Sequence, residues 1–240
     1  MTDIDSLSMY FDPLYFLFLA PGLLLSVWAS WHVKSTFRKY SQVRARSGLS
    51  GADAAQRLLA LKGIRDVRIE AVQGFLSDHY DPFHKTLRLS PDVYHGRSLS
   101  ALGVAAHEAG HAIQHATAYG PLKFRSLVVK PAMVGSNLGG ILCAMGIGLQ
   151  VTGMVWVGIV LFSAFVLFTL VTLPVEFNAS KRAVAVLQSS GMIDAHEAPG
   201  TSAVLRAAAM TYVAAALGAI MQLLYFLMRA GLLGGGRSDD

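Results

Sequence analysis

A single cysteine, Cys143, stands among the 240 residues of this chain. No intramolecular disulfide can form, and cysteine usage carries no message about compartment. Charge is scarce as well. Lys, Arg, Asp and Glu make up 15% of the residues, where soluble domains carry about a quarter. Hydrophobic residues reach 53%, and the mean hydropathy is +0.47. That balance excludes an ordinary water-soluble globule and points to a membrane protein. No Lys or Arg precedes Lys34, whereas Asp3, Asp5 and Asp12 do. The first apolar run therefore lacks the basic flank of a secretory signal and is expected to be retained. The pI near 9.4 would suit nucleic acid, but the basic residues cluster beside apolar runs, where topology accounts for them. No nucleic-acid partner is expected.

Four apolar runs come close to the roughly 20 residues that a bilayer requires: 14–33, 132–151, 154–173 and 207–228. Only Thr152 and Gly153 separate the middle two, which predicts a transmembrane hairpin over 131–173. Trp28 and Trp31 fall where an aromatic belt sits. Gly135 and Gly139 form a GxxxG pair suited to close helix approach. Lys34, Arg38, Lys39, Arg44 and Arg46 follow the first run; Lys123, Arg125 and Lys130 precede the second; Lys181 and Arg182 follow the third. The positive-inside rule then puts 34–130 and 174–206 in the cytoplasm, with 1–13 and 229–240 outside. Arg229 and Arg237 run against that scheme; Asp239 and Asp240 do not.

The larger cytoplasmic piece carries the chemistry. Residues 52–62 pattern as an amphipathic helix closed by Gly63, Val67, Ile69 and Val72 alternate like a strand, 78–82 reads as a turn, and 86–90 alternates again. Ser98 or Ser100 is placed to cap a helix running to about Thr117. On that helix lies His107-Glu108-Ala109-Gly110-His111. Positions i and i+4 share one helix face, so both imidazoles can address one metal ion. Glu108 sits one residue round, close enough to act as general base toward a water at the metal. Two neutral nitrogen ligands, an open position and a carboxylate base are what a zinc peptidase needs.

A catalytic zinc usually takes a third protein ligand. The metzincin pattern is excluded, because Gln114 and Thr117 occupy its Gly and His places. His115 lies a turn further along the same helix, which fits a tetrahedron poorly, though a supporting role stays open. His79, His84, His95 and His196 are lone loop histidines. Glu176 is the favoured candidate. It is the one acidic residue between Glu108 and Asp194, and it follows the third apolar run. Topology returns it to the face that carries the HExxH helix, and an ionisable group at a membrane boundary suggests function. It stands about 5 Å beyond the end of that run if the helix continues, so the metal is expected near the cytoplasmic membrane surface. For a second donor to the oxyanion, Tyr212, His196, Tyr94 and His95 all stay open.

Together these segments resemble the membrane-bound neutral zinc metallopeptidases of bacteria (the YugP-like family). The likeness rests on Ser77 to Pro82, Lys85 to Ser90, Val104 to His115, Leu173 to Arg182 and Ala207 to Tyr212, in order over nearly the whole chain. It implies zinc held by His107 and His111, Glu108 as base, and a protein or peptide substrate. The expected fold is a mainly α membrane protein: four transmembrane helices, with a zincin-like α+β cytoplasmic domain between the first and second. A more distant likeness is to gluzincin membrane proteases, whose third-ligand Glu is followed four residues later by an Asp; here that place holds Ser180. In many zinc proteases a strand placed like 85–90 pairs with extended substrate; a strand in that place can equally be plain scaffold, and both readings stay open.

Two other readings compete. An intramembrane protease would hold HExxH inside a membrane span, but Arg97, Ser98, Ser100, Gln114 and His115 flank this helix. A catalytically silent zinc scaffold or chaperone, regulating a membrane protease complex, would have no need of Glu108. The expected setting is the bacterial inner membrane, with membrane-associated substrates and room for a regulatory membrane partner.

Overall fold

The computed structural model describes residues 12–231; the expectations drawn on Asp3, Asp5, Arg237, Asp239 and Asp240 fall outside them. In chain order the elements are α1 (Pro13–Ser41), α2 (Gly51–Leu61), β1 (Arg68–Ala71), β2 (His79–Asp81), β3 (Thr86–Leu89), α3 (Pro91–Tyr94) and α4 (Leu99–Ala116). Then follow α5 (Gly120–Val134), a π-helical turn (Gly135–Gly139), α6 (Gly140–Gly148), α7 (Thr152–Ser189) and α8 (Ala198–Arg229). The fold is mainly helical with one small sheet. Four helical stretches are long and apolar enough to cross a membrane: Pro13–Ser41, Gly120–Gly148, Thr152–Ser189 and Ala198–Arg229.

Each stretch is longer than its apolar run, although the second ends at Gly148, short of Val151. Helix α7 has 38 residues, about 57 Å at 1.5 Å per residue, against a hydrocarbon core of about 30 Å. Hydrogen bonding does not stop where hydrophobicity does, so Glu176, Lys181 and Arg182 continue α7 rather than opening a loop.

The chain divides into two compact units. One comprises Met1–Trp28, Phe124–Thr172 and Tyr212–Asp240. Its apolar cluster includes Cys143, Val155, Phe162 and Phe226. The GxxxG pair does bring backbones together: a Cβ at Gly135 would overlap Leu161 O, and one at Gly139 would lie 2.7 Å from Phe162 N. Only hydrogen fits there.

The other unit comprises Ala29–Lys123 and Leu173–Thr211 and carries every candidate metal ligand. Helix α2 opens with a capping box, in which Ser50 Oγ accepts from Asp53 N while the Asp53 carboxylate accepts from Ser50 N. Its buried residues, Ala54, Ala55, Leu58 and Leu59, join the core with Leu87, Leu89, Leu102, Ala105, Ala109 and Leu187. The sheet order is β1-β3-β2, with β3 parallel to β1 and antiparallel to β2.

Two expectations change here. Residues 78–82 are not simply a turn: His79–Asp81 is a strand, and the turn comes after it. Asp81 Oδ1 accepts from Phe83 N (3.0 Å) and His84 N (3.1 Å), while Lys85 takes a positive φ of 47°. The chain thus reverses at Asp81-Pro82 and the residues after it, rather than over the whole of 78–82. Second, β3 occupies the middle of the sheet. Both of its edges are hydrogen-bonded, so the 85–90 strand is closed to an added substrate strand, and β1 and β2 are the edges.

Candidate metal centre

Helix α4 begins at Ser98, whose Oγ accepts from Ala101 N at 3.2 Å; Ser100 does not cap but donates to Phe37 O at 2.8 Å. Small residues let α4 lie close to α7. A Cβ built on Gly110, inside the HExxH stretch, would stand 3.1 Å from Ala179 O. That approach brings the α7 backbone against α4 between His107 and His111.

His107 and His111 converge on one carboxylate. His107 Nε2 lies 3.2 Å and His111 Nε2 3.4 Å from Glu176 Oε2. Side-chain exposure is 13% and 12% for the histidines and 2% for Glu176. One donor atom from each of the three lies within 4.8 Å of the others. Bonds of 2.0–2.1 Å directed to the corners of a tetrahedron put neighbouring donors about 3.3 Å apart. The two imidazole-to-carboxylate separations match that edge. The donor set, two imidazoles and one carboxylate, also suits zinc. Among the described residues this is the one such three-donor group.

Both ring nitrogens on the far side are backed. Ser180 Oγ lies 3.1 Å from His107 Nδ1. Gln114 Oε1 lies 3.0 Å from His111 Nδ1, and Gln114 Nε2 donates to Val175 O and Asn178 Oδ1, both at 3.0 Å. Gln114 is fully buried. Partners of this kind fix ring orientation in metal sites.

Electrostatics favour a cation here. Burial alone would lower the His111 pKa, but its hydrogen bond to Glu176 and the charges of Glu108 and Glu176 outweigh it and raise the value. The field that draws a proton to His111 draws a metal ion equally. Glu108 is nearly buried on α4. Its charge also reaches Asp78, whose carboxyl is pushed above its ordinary range mainly by burial. Asp78 accepts from Ser90 N at 2.7 Å and from Ser90 Oγ, tying the start of β2 to the end of β3.

The other sequence candidates lie elsewhere. His115 is exposed, with Nδ1 2.9 Å from Tyr80 Oη on β2. His79 Nδ1 meets Ser77 O, and His84 pairs with Asp81. His95 ends α3, edge-on to the Tyr94 ring. His196 lies in the turn before α8, where its N–H donates to Asp194 Oδ1 and the Asp194 carboxylate receives Arg46. Tyr212 belongs to the other unit. Gln114 and Asn178 are the residues that sequence reasoning missed. The available signal was an amide three residues past His111, on a helix otherwise lined by Ala, Gly and Ile.

A family model described as "Putative neutral zinc metallopeptidase" matches residues 15–231. The chain belongs to this metallopeptidase family. It is also 49% identical to "Putative membrane protease YugP" of Bacillus subtilis (strain 168), over 89% of this chain and 95% of that protein. No solved structure matches. Family membership implies zinc, and the three-donor group is the candidate site for it.

Proposed function

We propose that this family member is a zinc-dependent, membrane-bound endopeptidase that hydrolyses peptide bonds of membrane or unfolded proteins near the cytoplasmic membrane surface. The convergence of His107, His111 and Glu176 beside Glu108 carries this reading.

In the proposed mechanism His107, His111 and Glu176 are the protein ligands. Bound zinc supplies Lewis acidity, polarising the scissile carbonyl and lowering the pKa of water. The rest falls to the chain. Glu108, one residue round from His107, accepts the proton of the attacking water on its carboxylate and passes it to the leaving amine. Because Glu108 is nearly buried, its carboxylate faces little competing water. Glu176 balances one unit of positive charge and leaves the centre net cationic, which favours oxyanion development. Ser180 and Gln114 hold the rings.

Placement at the inner membrane draws on three features. Helix α7 carries Glu176 less than one turn past Leu173, where the apolar run ends. Lys34, Arg38, Lys39, Lys123, Arg125, Lys130, Lys181 and Arg182 favour the cytoplasmic side for residues 34–130 and 174–206. At the other ends of α1 and α8, Tyr225 Oη donates to Asp12 Oδ2 at 2.8 Å and Arg229 lies 3.6 Å from the same atom. That pairing supports both chain ends lying on one side and gives Arg229 a partner there. The substrates implied are membrane-associated proteins or unfolded segments at that surface, with room for a regulatory membrane partner.

The test is proteolysis of an unfolded protein and of a detergent-solubilised membrane protein by wild type and Glu108→Gln at equal zinc content. Cleavage by wild type alone supports the proposal. Equal inactivity of two zinc-loaded proteins supports the scaffold alternative.

A further inference from the structure

Resting on the metal-centre reading just given, we propose that Gln114 is a positioning residue that presets His111 in the one tautomer able to bind metal through Nε2, under instruction from the backbone of α7. The argument is one of donors and acceptors. Val175 O is a peptide carbonyl and can only accept. The Gln114 atom 3.0 Å from it must therefore be the amide nitrogen. Asn178 Oδ1, at the same distance from that nitrogen, uses a second amide hydrogen. The reversed amide would set oxygen against carbonyl oxygen in a site with no exposure, where an unmade hydrogen bond is expensive. Gln114 Oε1 is thereby fixed toward His111, and an amide oxygen can only accept. His111 Nδ1, 3.0 Å away, must carry the hydrogen. In the neutral ring, the form that binds metal, Nε2 then keeps its lone pair for the space it shares with Glu176.

His107 is wired differently. Its Nδ1 meets Ser180 Oγ, and a hydroxyl can donate or accept, so either tautomer is tolerated. His111 is thus the preset ligand and His107 the adaptable one. Gln114 also spans two ligands: it touches the His111 ring and the backbone of the residue before Glu176. One side chain on α4 sets the orientation of its own ligand and its register against the third.

The experiment measures zinc affinity of the full chain in detergent by chelator competition, with the electronic spectrum of the cobalt-substituted protein as a second readout. Gln114→Met keeps the volume and removes the acceptor. Gln114→Glu keeps the shape and the acceptor oxygen toward His111, and in a site with no exposure its carboxyl should stay protonated and donate to Val175 O in place of the amide. The expected result is a ten- to hundredfold loss of affinity and an altered cobalt spectrum in Gln114→Met, with Gln114→Glu within about threefold of wild type, as outer-shell acceptance predicts. Equal affinity in all three proteins, or equal loss in both variants, overturns the proposal, because the acceptor would then not be what matters. Should Gln114→Met fail to fold, Gln114→Glu decides alone: loss in a folded protein overturns the proposal, and retention sustains it. Failure of wild type itself to bind zinc would sink the metal-centre reading instead.

Discussion

Ser180 Oγ, four residues past Glu176 on α7, lies 3.1 Å from His107 Nδ1. A hydroxyl orients the ring without adding charge, so the metal centre keeps a single first-rank carboxylate, Glu176. Ser180→Ala should weaken zinc binding about tenfold, the low end of what outer-shell partners contribute. Ser180→Asp should bind zinc at least as tightly as wild type, because a carboxylate is the stronger acceptor. Chelator competition on both variants checks the pair, and tighter binding by the alanine variant would contradict it.

Glu176 and Glu108 should separate cleanly. Glu176→Ala removes a ligand and should lose more affinity than any outer-shell change, over a hundredfold. Glu108→Gln leaves all three ligands and should keep zinc within a few-fold while losing proteolysis. Metal analysis after dialysis against a weak chelator distinguishes them. A zinc-replete Glu176→Ala protein would show that another residue completes the site.

Gly110 sets two effects against each other. Gly→Ala inside a helix gains about 1 kcal/mol from propensity. The new methyl, however, would stand 3.1 Å from Ala179 O, and overpacking against backbone costs roughly 1–3 kcal/mol. Overall stability should change little or fall slightly, whereas α4 and α7 must part by tenths of an ångström, loosening Glu176 from the histidines. Gly110→Ala should therefore lose zinc affinity disproportionately to melting temperature. An unchanged affinity would mean that the helices do not need this approach.

Much of the centre was legible in the sequence because its logic is local. The spacing of His107 and His111 is helix geometry, and Glu176 stood out as the lone acid in a long apolar stretch. Gln114 and Asn178 were hidden because their meeting depends on the register of α4 against α7, which no local pattern encodes. Strand order was hidden for the same reason: alternation over 86–90 does not say which neighbours a strand has, and only pairing with both β1 and β2 makes β3 central. Apolar character alone does not mark helix ends, because backbone hydrogen bonding continues past it, as in α7 beyond Leu173.

Asp78 gives a pH signature. Its folded-state pKa is raised, chiefly by burial and secondarily by Glu108. A carboxyl raised in this way favours the folded state below its unfolded value, about 3.9, and that benefit is lost as pH rises through the folded value. At neutral pH the charged carboxylate is the less favourable form. Asp78→Asn keeps an acceptor for Ser90 N, so its melting temperature relative to wild type should be higher at pH 7.5 than at pH 4. A difference that is flat or reversed in sign would show that Asp78 is not held against burial.

The most direct measurement is zinc K-edge X-ray absorption on the full chain, with metal content determined on the same sample. One zinc per chain, bound by two imidazoles and carboxylate oxygen at about 2.0–2.1 Å, is the result predicted for His107, His111 and Glu176. A third imidazole in place of the carboxylate, a sulfur from Cys143, or no stoichiometric zinc would contradict it.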